Sequence, residues 1–337
     1  MMNKELQDKI ELLAANRKII GDAFKLDYGL NYIIASLLLT EMGVTADVES
    51  MKEARKNLKS KTGVLSSWRG LMELVVITKL SVQNAPDKYL DDVLEVYKKI
   101  LGKKWIESYS FILGAMSIVD FGRTGDADEI VAKTKEILER MGKIHPFLTD
   151  DDDESFAVLL AMTDKSVDQI ISEMEECYTY LKKTVKIKAD SNSIQGLCEL
   201  IALSEGPMIE KCDRAAELFN TFAEHKARYG TYYEFASLGA LIGLDMDKDE
   251  LVDTIIEAAD ILKTHKGFTG WTLSDKERLM FAAMLVTQVV SNKNDMAYNY
   301  AVESSVINNV IAAIVAEEVA AMICISICMN SSTINPS

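Results

Sequence analysis

The sequence predicts an all-α fold, an α-solenoid of stacked helical hairpins with a period of about 40 residues. The clearest copy is Ser155–Leu181, which reads as two helices separated by a break at Thr163–Lys165. The first half of this segment is short and almost entirely apolar. The second half places apolar residues at positions i, i+3, i+4 and i+7, which is the pattern of a helix with one buried face.

The short apolar half of this unit recurs along the chain. The further copies are Tyr109–Asp120, Ile194–Glu205, Glu234–Asp245 and Arg278–Leu285. Matching alanines are separated by steps of 46, 41, 38 and 43 residues at Ala115, Ala161, Ala202, Ala240 and Ala283. One hairpin cannot bury its apolar stripe alone, so several copies must stack. The alternative is an irregular all-helical domain whose hairpins only resemble one another.

The elements follow in order from the same periodicity. We expect residues 1–290 to form a helical-repeat domain of about six hairpins plus caps, and residues 291–337 to form an apolar C-terminal helix or tail. Small residues at Gly114, Gly239 and Ala282 would let neighbouring helices approach closely. The predicted early elements are a capping helix Met1–Ile20, an apolar helix Tyr28–Leu39, its charged partner Asp47–Lys59, and a hairpin Trp68–Leu80 with Leu90–Leu101 around a turn at Asn84–Pro86.

The tail contains an apolar stretch, Val306–Met329, but Glu317 and Glu318 interrupt it. Each carboxylate would cost about 2.5–3.5 kcal/mol in the middle of a membrane span, which argues against one. We expect this helix to pack along the last hairpins or against a second copy of the chain, as a homodimer. Cys324 and Cys328 lie one helical turn apart, but two ligands are weak evidence for a metal.

Composition excludes several classes of function. The 337 residues carry a net charge of −15, which argues against binding to nucleic acid or to anionic membranes. Five cysteines without a Cys-x-x-Cys pair, and no signal peptide, indicate a reducing cytoplasm. The usual nucleotide-binding, hydrolase and zinc-protease motifs are absent, so no cofactor or metal is indicated and a non-enzymatic protein is favoured.

The three histidines share one phase of the repeat. His145, His225 and His265 each follow a predicted amphipathic helix. One interpretation is a functional line of histidines along one edge of the solenoid. The other is that each histidine stands at a helix C-terminus, where a cation is favoured, and this interpretation also explains the lysines at matching positions. The acidic run Asp150–Glu154 lacks the alternation and the glycine of a calcium loop and stands where a helix begins.

Two unusual loops resemble each other. Thr62–Arg69 and Gly267–Arg278 each contain glycine, serine and tryptophan before an arginine that enters a helix. Trp and Arg are common in binding hot spots, so the candidate binding residues are Trp68, Arg69, Trp271 and Arg278. The alternative is that each tryptophan packs at a loop–helix junction while its arginine pairs with a nearby acid.

Three motifs in this order resemble a family of unknown function. They are LSSWRG at Leu65–Gly70, HPFLT at His145–Thr149 and GFTGWTLSDKERLMFAAML at Gly267–Leu285. The similar proteins form a bacterial family found mainly in Firmicutes, and the resemblance covers about Ile10–Val290. It implies an all-helical cytoplasmic protein and supplies no catalytic residues.

The sequence therefore favours a non-enzymatic scaffold that binds a protein or peptide, because solenoids present long grooves. The acidic surface would favour a basic partner. The alternative is a small-ligand binder or enzyme whose pocket lies near the Trp68/Arg69 and Trp271/Arg278 loops. That alternative requires the two loops to meet in space.

Overall fold

The computed structural model describes residues 4–25, 29–64, 66–70, 72–103, 108–149, 153–203, 206–270 and 272–291. Every regular element in these ranges is helical, which confirms the predicted all-α class. The α-helices are α1 Lys4–Ala23, α2 Gly29–Glu41, α3 Val48–Lys61, α4 Glu73–Ser81, α5 Pro86–Leu101, α6 Tyr109–Asp120, α7 Ala127–Ile144, α8 Glu154–Ala161, α9 Val167–Thr179, α10 Ser191–Leu203, α11 Met208–Glu224, α12 Lys248–Thr264 and α13 Asp275–Ser291. A 3₁₀ helix, Tyr233–Leu241, lies between α11 and α12.

The helices divide into an outer and an inner set. The outer helices α1, α3, α5, α7, α9, α11 and α12 are amphipathic, and α5 buries only one stripe. The inner elements are α2, α4, α6, α8, α10, the 3₁₀ helix and α13, and they are buried on nearly every side. In α2, for example, each residue from Leu30 to Glu41 is buried. The two kinds of helix in the sequence repeat therefore correspond to two layers of the fold.

The contacts between the two layers show which outer helix and which inner element form each hairpin. From the sequence, each short apolar helix was paired with the amphipathic helix that follows it. In the structure each inner element packs more extensively against the outer helix that precedes it, as in α3 with α4 and α5 with α6. The outer helix that follows an inner element belongs to the next hairpin, and it contacts the outer helix of the hairpin before it. The structural hairpin is thus outer helix first, inner element second.

The outer helices form a closed series. Each contacts the next one along the chain, and α12 contacts α1. At this seam His265 Nε2 lies 3.5 Å from Glu11 Oε1, and Lys9 Nζ donates to Gln288 Oε1 at 3.3 Å. The Arg17 guanidinium lies 5.9 Å from the centre of the Phe268 ring. The described hairpins therefore form a ring whose first and last members touch.

The inner elements run in the same direction and approach closely, as the small residues predicted. A Cβ atom at Gly114 would lie 3.0 Å from Val158 Cγ2, and one at Gly239 would lie 2.8 Å from Leu200 Cβ. Parallel inner helices place all of their N-terminal ends on one side of the ring. We call this side the loop face; it consists of the described residues in the connections between each outer helix and its own inner element.

A polar residue occupies the N-terminal end of every inner element, beneath the loop face. We call this set the polar belt: Asn31, Glu73, Ser110, Ser155, Ser193, Glu234 and Arg278. All seven side chains are buried, and each is followed in the sequence by a large apolar residue. Some join neighbouring hairpins directly, since the Ser155 backbone N–H donates to Ser110 Oγ at 2.8 Å. Burial raises the pKa of Glu234, which favours its neutral form.

Polar links also join successive outer helices. A side chain near the C-terminal end of one helix pairs with an acid on the next at most of the outer interfaces. The pairs are Lys61 with Asp91 at 2.6 Å, Lys99 with Asp128 at 2.8 Å, Arg140 with Asp168, Tyr180 with Asp213 at 2.7 Å, His225 with Asp249 and Asp253, and His265 with Glu11.

Several predicted boundaries change in the structure. Pro86 is the first residue of α5 rather than part of a turn, because proline fits the first helical position, where no N–H is needed. The C-terminal tail, with Cys324 and Cys328, lies outside the described residues, so the predicted dimer contact is not addressed. In the described part of the chain no helix is both long and apolar enough to cross a membrane. The solenoid with its 40-residue period stays a prediction.

The close approach at Gly239 predicts the effect of adding one methyl group. Gly239→Ala must push Leu200 away and should lower the free energy of unfolding by about 1–3 kcal/mol. Gly21→Ala is the matched control, because a Cβ there meets no atom within 4 Å, and it should stabilise the protein by about 0.5–1 kcal/mol. Urea unfolding followed by circular dichroism measures both. Equal effects of the two substitutions would contradict the close packing.

Candidate functional site

The first candidate pair, Trp68 and Arg69, lies in a 3₁₀ turn between α3 and α4. The Trp68 side chain is only 2% exposed and meets the Tyr97 ring edge-on at 5.0 Å between centroids. Arg69 Nε donates to Thr62 Oγ1 at 3.2 Å, and its Nη2 donates to the backbone carbonyls of Lys59 and Thr62. Arg69 therefore holds the end of α3 to the turn before α4, and Trp68 packs this turn against α5.

The second candidate pair belongs to the connection between α12 and α13. Arg278 is buried and donates from Nη1 to the Phe268 carbonyl at 2.9 Å and to the Leu273 carbonyl at 3.1 Å. Its Nη2 pairs with Asp275. Trp271 lies outside the described residues. Arg278 thus ties this connection to the polar belt rather than presenting its guanidinium to solvent.

The structure does not bring the two loops together. No hydrogen bond, ion pair or ring contact among the described residues joins residues 62–70 to residues 265–278. The end of α1 and the start of α2 lie between them, since the Arg55 guanidinium lies 4.7 Å from the Phe24 ring centre. On the other side, a Cβ at Gly29 would lie 3.1 Å from Thr272 Cγ2. The binding role of the four candidate residues stays a prediction.

All three histidines stand at the C-terminal ends of outer helices and pair with acids on the next outer helix. His145 Nε2 lies 2.8 Å from Glu175 Oε1. Hydrogen bonds to Asp253 and Asp249 raise the pKa of His225, which favours its charged form. Within the described ranges no group of three His, Cys, Asp or Glu side chains could hold a metal ion. The histidines thus act as links between neighbouring helices.

His145 also borders a small cavity under the loop face. The cavity has a volume of about 10 Å³ and is lined in part by His145, Tyr178, Gln195 and Cys198. The centroids of the imidazole and the Tyr178 ring are 4.6 Å apart, with the ring planes tilted by 51°, and Gln195 Nε2 donates to the Leu148 carbonyl at 3.3 Å. A space of this size accommodates about one water molecule, not a metabolite. Its walls instead fix the backbone of the connection between α7 and α8.

The same connection carries the most exposed large apolar side chain among the described residues. Phe147 is 95% exposed and the nearby Ile144 is 43% exposed. The loop face also exposes Val64 and Tyr232, whereas Met42 lies on the opposite side of the ring. Phe147 belongs to the HPFLT motif but was missed as a candidate, because a sequence does not reveal which aromatic residues fail to find a place in the core.

Three cysteines meet between α9, α10 and α11. Cys177 Sγ lies 2.8 Å from Cys212 Sγ, and both are buried together with Cys198. The hydrogen bond with Cys198 raises the pKa of Cys177, the hydrogen bond with Cys177 raises that of Cys212, and burial raises that of Cys198. The protonated thiols act as small apolar side chains, as their positions in the repeat predict.

Comparison with known families identifies one relationship. The profile of a family described as "Protein of unknown function (DUF4003)" matches residues 20–320 of this chain. This confirms the resemblance predicted from the three motifs, and the match continues about thirty residues beyond Val290 into the tail. No curated protein and no solved structure matches the chain.

The burial of Trp68 predicts a structural effect of its removal. Trp68→Ala should lower the free energy of unfolding by about 3–5 kcal/mol, because it leaves a cavity beside Tyr97. Val64→Ala is the matched control in the same connection. Val64 is 79% exposed, and its truncation should change stability by less than about 0.5 kcal/mol. Unchanged stability of the Trp68→Ala variant in urea would show that the ring is not part of the core.

Proposed function

The chain belongs to the DUF4003 family of proteins of unknown function, and we propose that it is a non-enzymatic scaffold that binds a protein or peptide segment on its loop face. The observation that carries this proposal is the 95% exposure of Phe147. A large exposed aromatic ring with a second exposed apolar side chain nearby, Ile144, is typical of the anchors that protein interfaces use.

The surroundings of Phe147 support a pre-formed docking position. Gln195 Nε2 donates to the Leu148 carbonyl at 3.3 Å, and the backbone N–H groups of Leu148 and Thr149 donate to the His145 carbonyl at 3.0 and 3.2 Å. Ile144 extends the apolar surface next to Phe147. Because these hydrogen bonds already order the backbone around Phe147, binding would not require ordering it first.

Charge favours a basic segment as the partner at this position. The sequence of residues 144–154 contains five acidic residues and no Lys or Arg; Asp153 is half-buried, Glu154 is buried, and Asp150–Asp152 lie outside the described residues. The net charge of −15 adds a long-range attraction for cations. We therefore propose that the partner combines an apolar side chain, which covers Phe147, with lysines or arginines around it.

The alternative of a small-ligand pocket near the Trp68/Arg69 and Trp271/Arg278 loops has less support. Arg69 and Arg278 use their guanidinium groups on backbone carbonyls of their own loops. The two loops are separated by the first hairpin, so they do not line a common cavity among the described residues. The cavity beside His145 is too small for a metabolite.

We further propose that the hairpins are copies of one unit of about 40 residues, a helical repeat closed by α1. The polar belt supports this, because its successive members lie between 37 and 45 residues apart. The three buried free thiols support an environment that keeps cysteines reduced, as in the cytoplasm.

A peptide-display selection on the immobilised full chain tests the proposal. Selected peptides should be enriched in Lys or Arg next to an apolar residue. Phe147→Ser should weaken binding of a selected peptide by about 30-fold, which corresponds to the loss of a central aromatic contact. Isothermal titration calorimetry gives the affinities.

Met42→Ser is the matched control, because Met42 is 49% exposed on the opposite side of the ring. This variant should bind selected peptides as the wild type does. A selection that enriches no basic peptide, or equal losses in the two variants, would refute the proposed docking position.

A further inference from the structure

A cationic surface lies on the loop face beside the acidic connection that contains Phe147. It is formed by the connections that precede α10 and the 3₁₀ helix. We call it the cationic patch and define it by Lys186, Lys188, Lys226 and Arg228, all of which are exposed. None of the four forms an ion pair with another described residue. The patch is therefore opposite in sign to the chain as a whole, which has 52 acids and 37 Lys and Arg residues.

The fold places the two connections side by side. The Asp190 backbone N–H donates to the Thr231 carbonyl at 2.9 Å. On the first connection, exposed Lys186 and Lys188 alternate with half-buried Ile187 and Ala189. Alternation of this kind is expected where a non-helical segment lies flat on the core. The cations are thus held on a surface rather than on a free loop tip.

Two of the four cations occupy backbone positions that usually hold glycine. Lys186 and Lys226 have φ values of 56° and 62°, in the left-handed region where glycine is usual. Lysine instead of glycine at two neighbouring turns costs conformational energy and keeps a positive charge at each.

We propose that the cationic patch binds an acidic peptide segment of a partner protein, at a position distinct from the Phe147 docking position. The patch is short and bounded by acids, because Asp249 and Asp253 hold His225 immediately before Lys226. A long polyanion such as nucleic acid would run from the patch onto these carboxylates, whereas a short acidic segment would not. Tyr232 is 61% exposed next to Arg228 and Tyr229, and Lys276 Nζ lies 5.8 Å from its ring centre, so the patch also offers an aromatic contact.

Fluorescence anisotropy tests this inference with the full chain and a short fluorescein-labelled Glu-rich peptide that contains one Phe. The double variant Lys188→Glu/Arg228→Glu should bind the peptide about tenfold more weakly, because it replaces two attractions by two repulsions. The affinity of the wild type should fall as salt is raised. These positions avoid the two left-handed lysines, so the backbone is not disturbed.

Lys56→Glu/Lys263→Glu is the matched control, since both lysines are exposed on outer helices without an ion pair and the net charge changes equally. It should bind the peptide within about twofold of the wild type. No peptide binding by the wild type, an equal loss in the control, or tighter binding of a labelled oligonucleotide or of phosphatidylserine vesicles than of the peptide would overturn the inference. Because Phe147 is unchanged in both variants, binding of a basic selected peptide is measured in parallel and distinguishes failure here from failure of the proposed function.

Discussion

The structure depends on the complete burial of its inner helices. A helix such as α2, buried from Leu30 to Glu41, has no face that tolerates water. Such a helix is stable only when neighbours cover every side. In an open row the first and last inner helices would each lack a neighbour. Contacts of α1 with α12 and α13 join the two ends of the row. A linear helical repeat covers its ends with special terminal units, and a closed ring does not need them.

Burial of the inner helices also decides where polar chemistry is found. Polar side chains that enter the core need partners there. In the polar belt, Ser110 accepts from the Ser155 backbone N–H and Glu73 pairs with Arg55. The connections above the belt are held by it, as Arg278 holds the carbonyls of Phe268 and Leu273. The loop face is therefore held in place where it is anchored, and the cationic patch lies on it next to the connection that contains Phe147. These two parts of the loop face carry the two binding positions that we propose.

Much of the fold could be predicted from periodicity, because buried inner helices and amphipathic outer helices leave different patterns. Closure of the ring could not be predicted, because Glu11 and His265 are ordinary surface residues in the sequence. Their pairing depends on how all of the hairpins pack together. The candidate site shows the same limit. Trp68 and Arg278 have the composition of a binding hot spot, yet both are buried. Phe147 has the character of a core residue, yet it is exposed. Residue type alone does not show whether a side chain points into the core or into solvent.

The distance between α1 and α12 tests closure of the ring most directly. Spin labels at Gln7 and Asp260, both exposed, can be attached through unnatural amino acids, which leaves the native cysteines in place. Adjacent helix axes lie about 8–10 Å apart, so a closed ring predicts a label separation of roughly 20–30 Å by electron–electron double resonance. An open row of hairpins would place the same labels roughly 50–60 Å apart. A single distribution at the longer distance would contradict the ring and the loop face that rests on it.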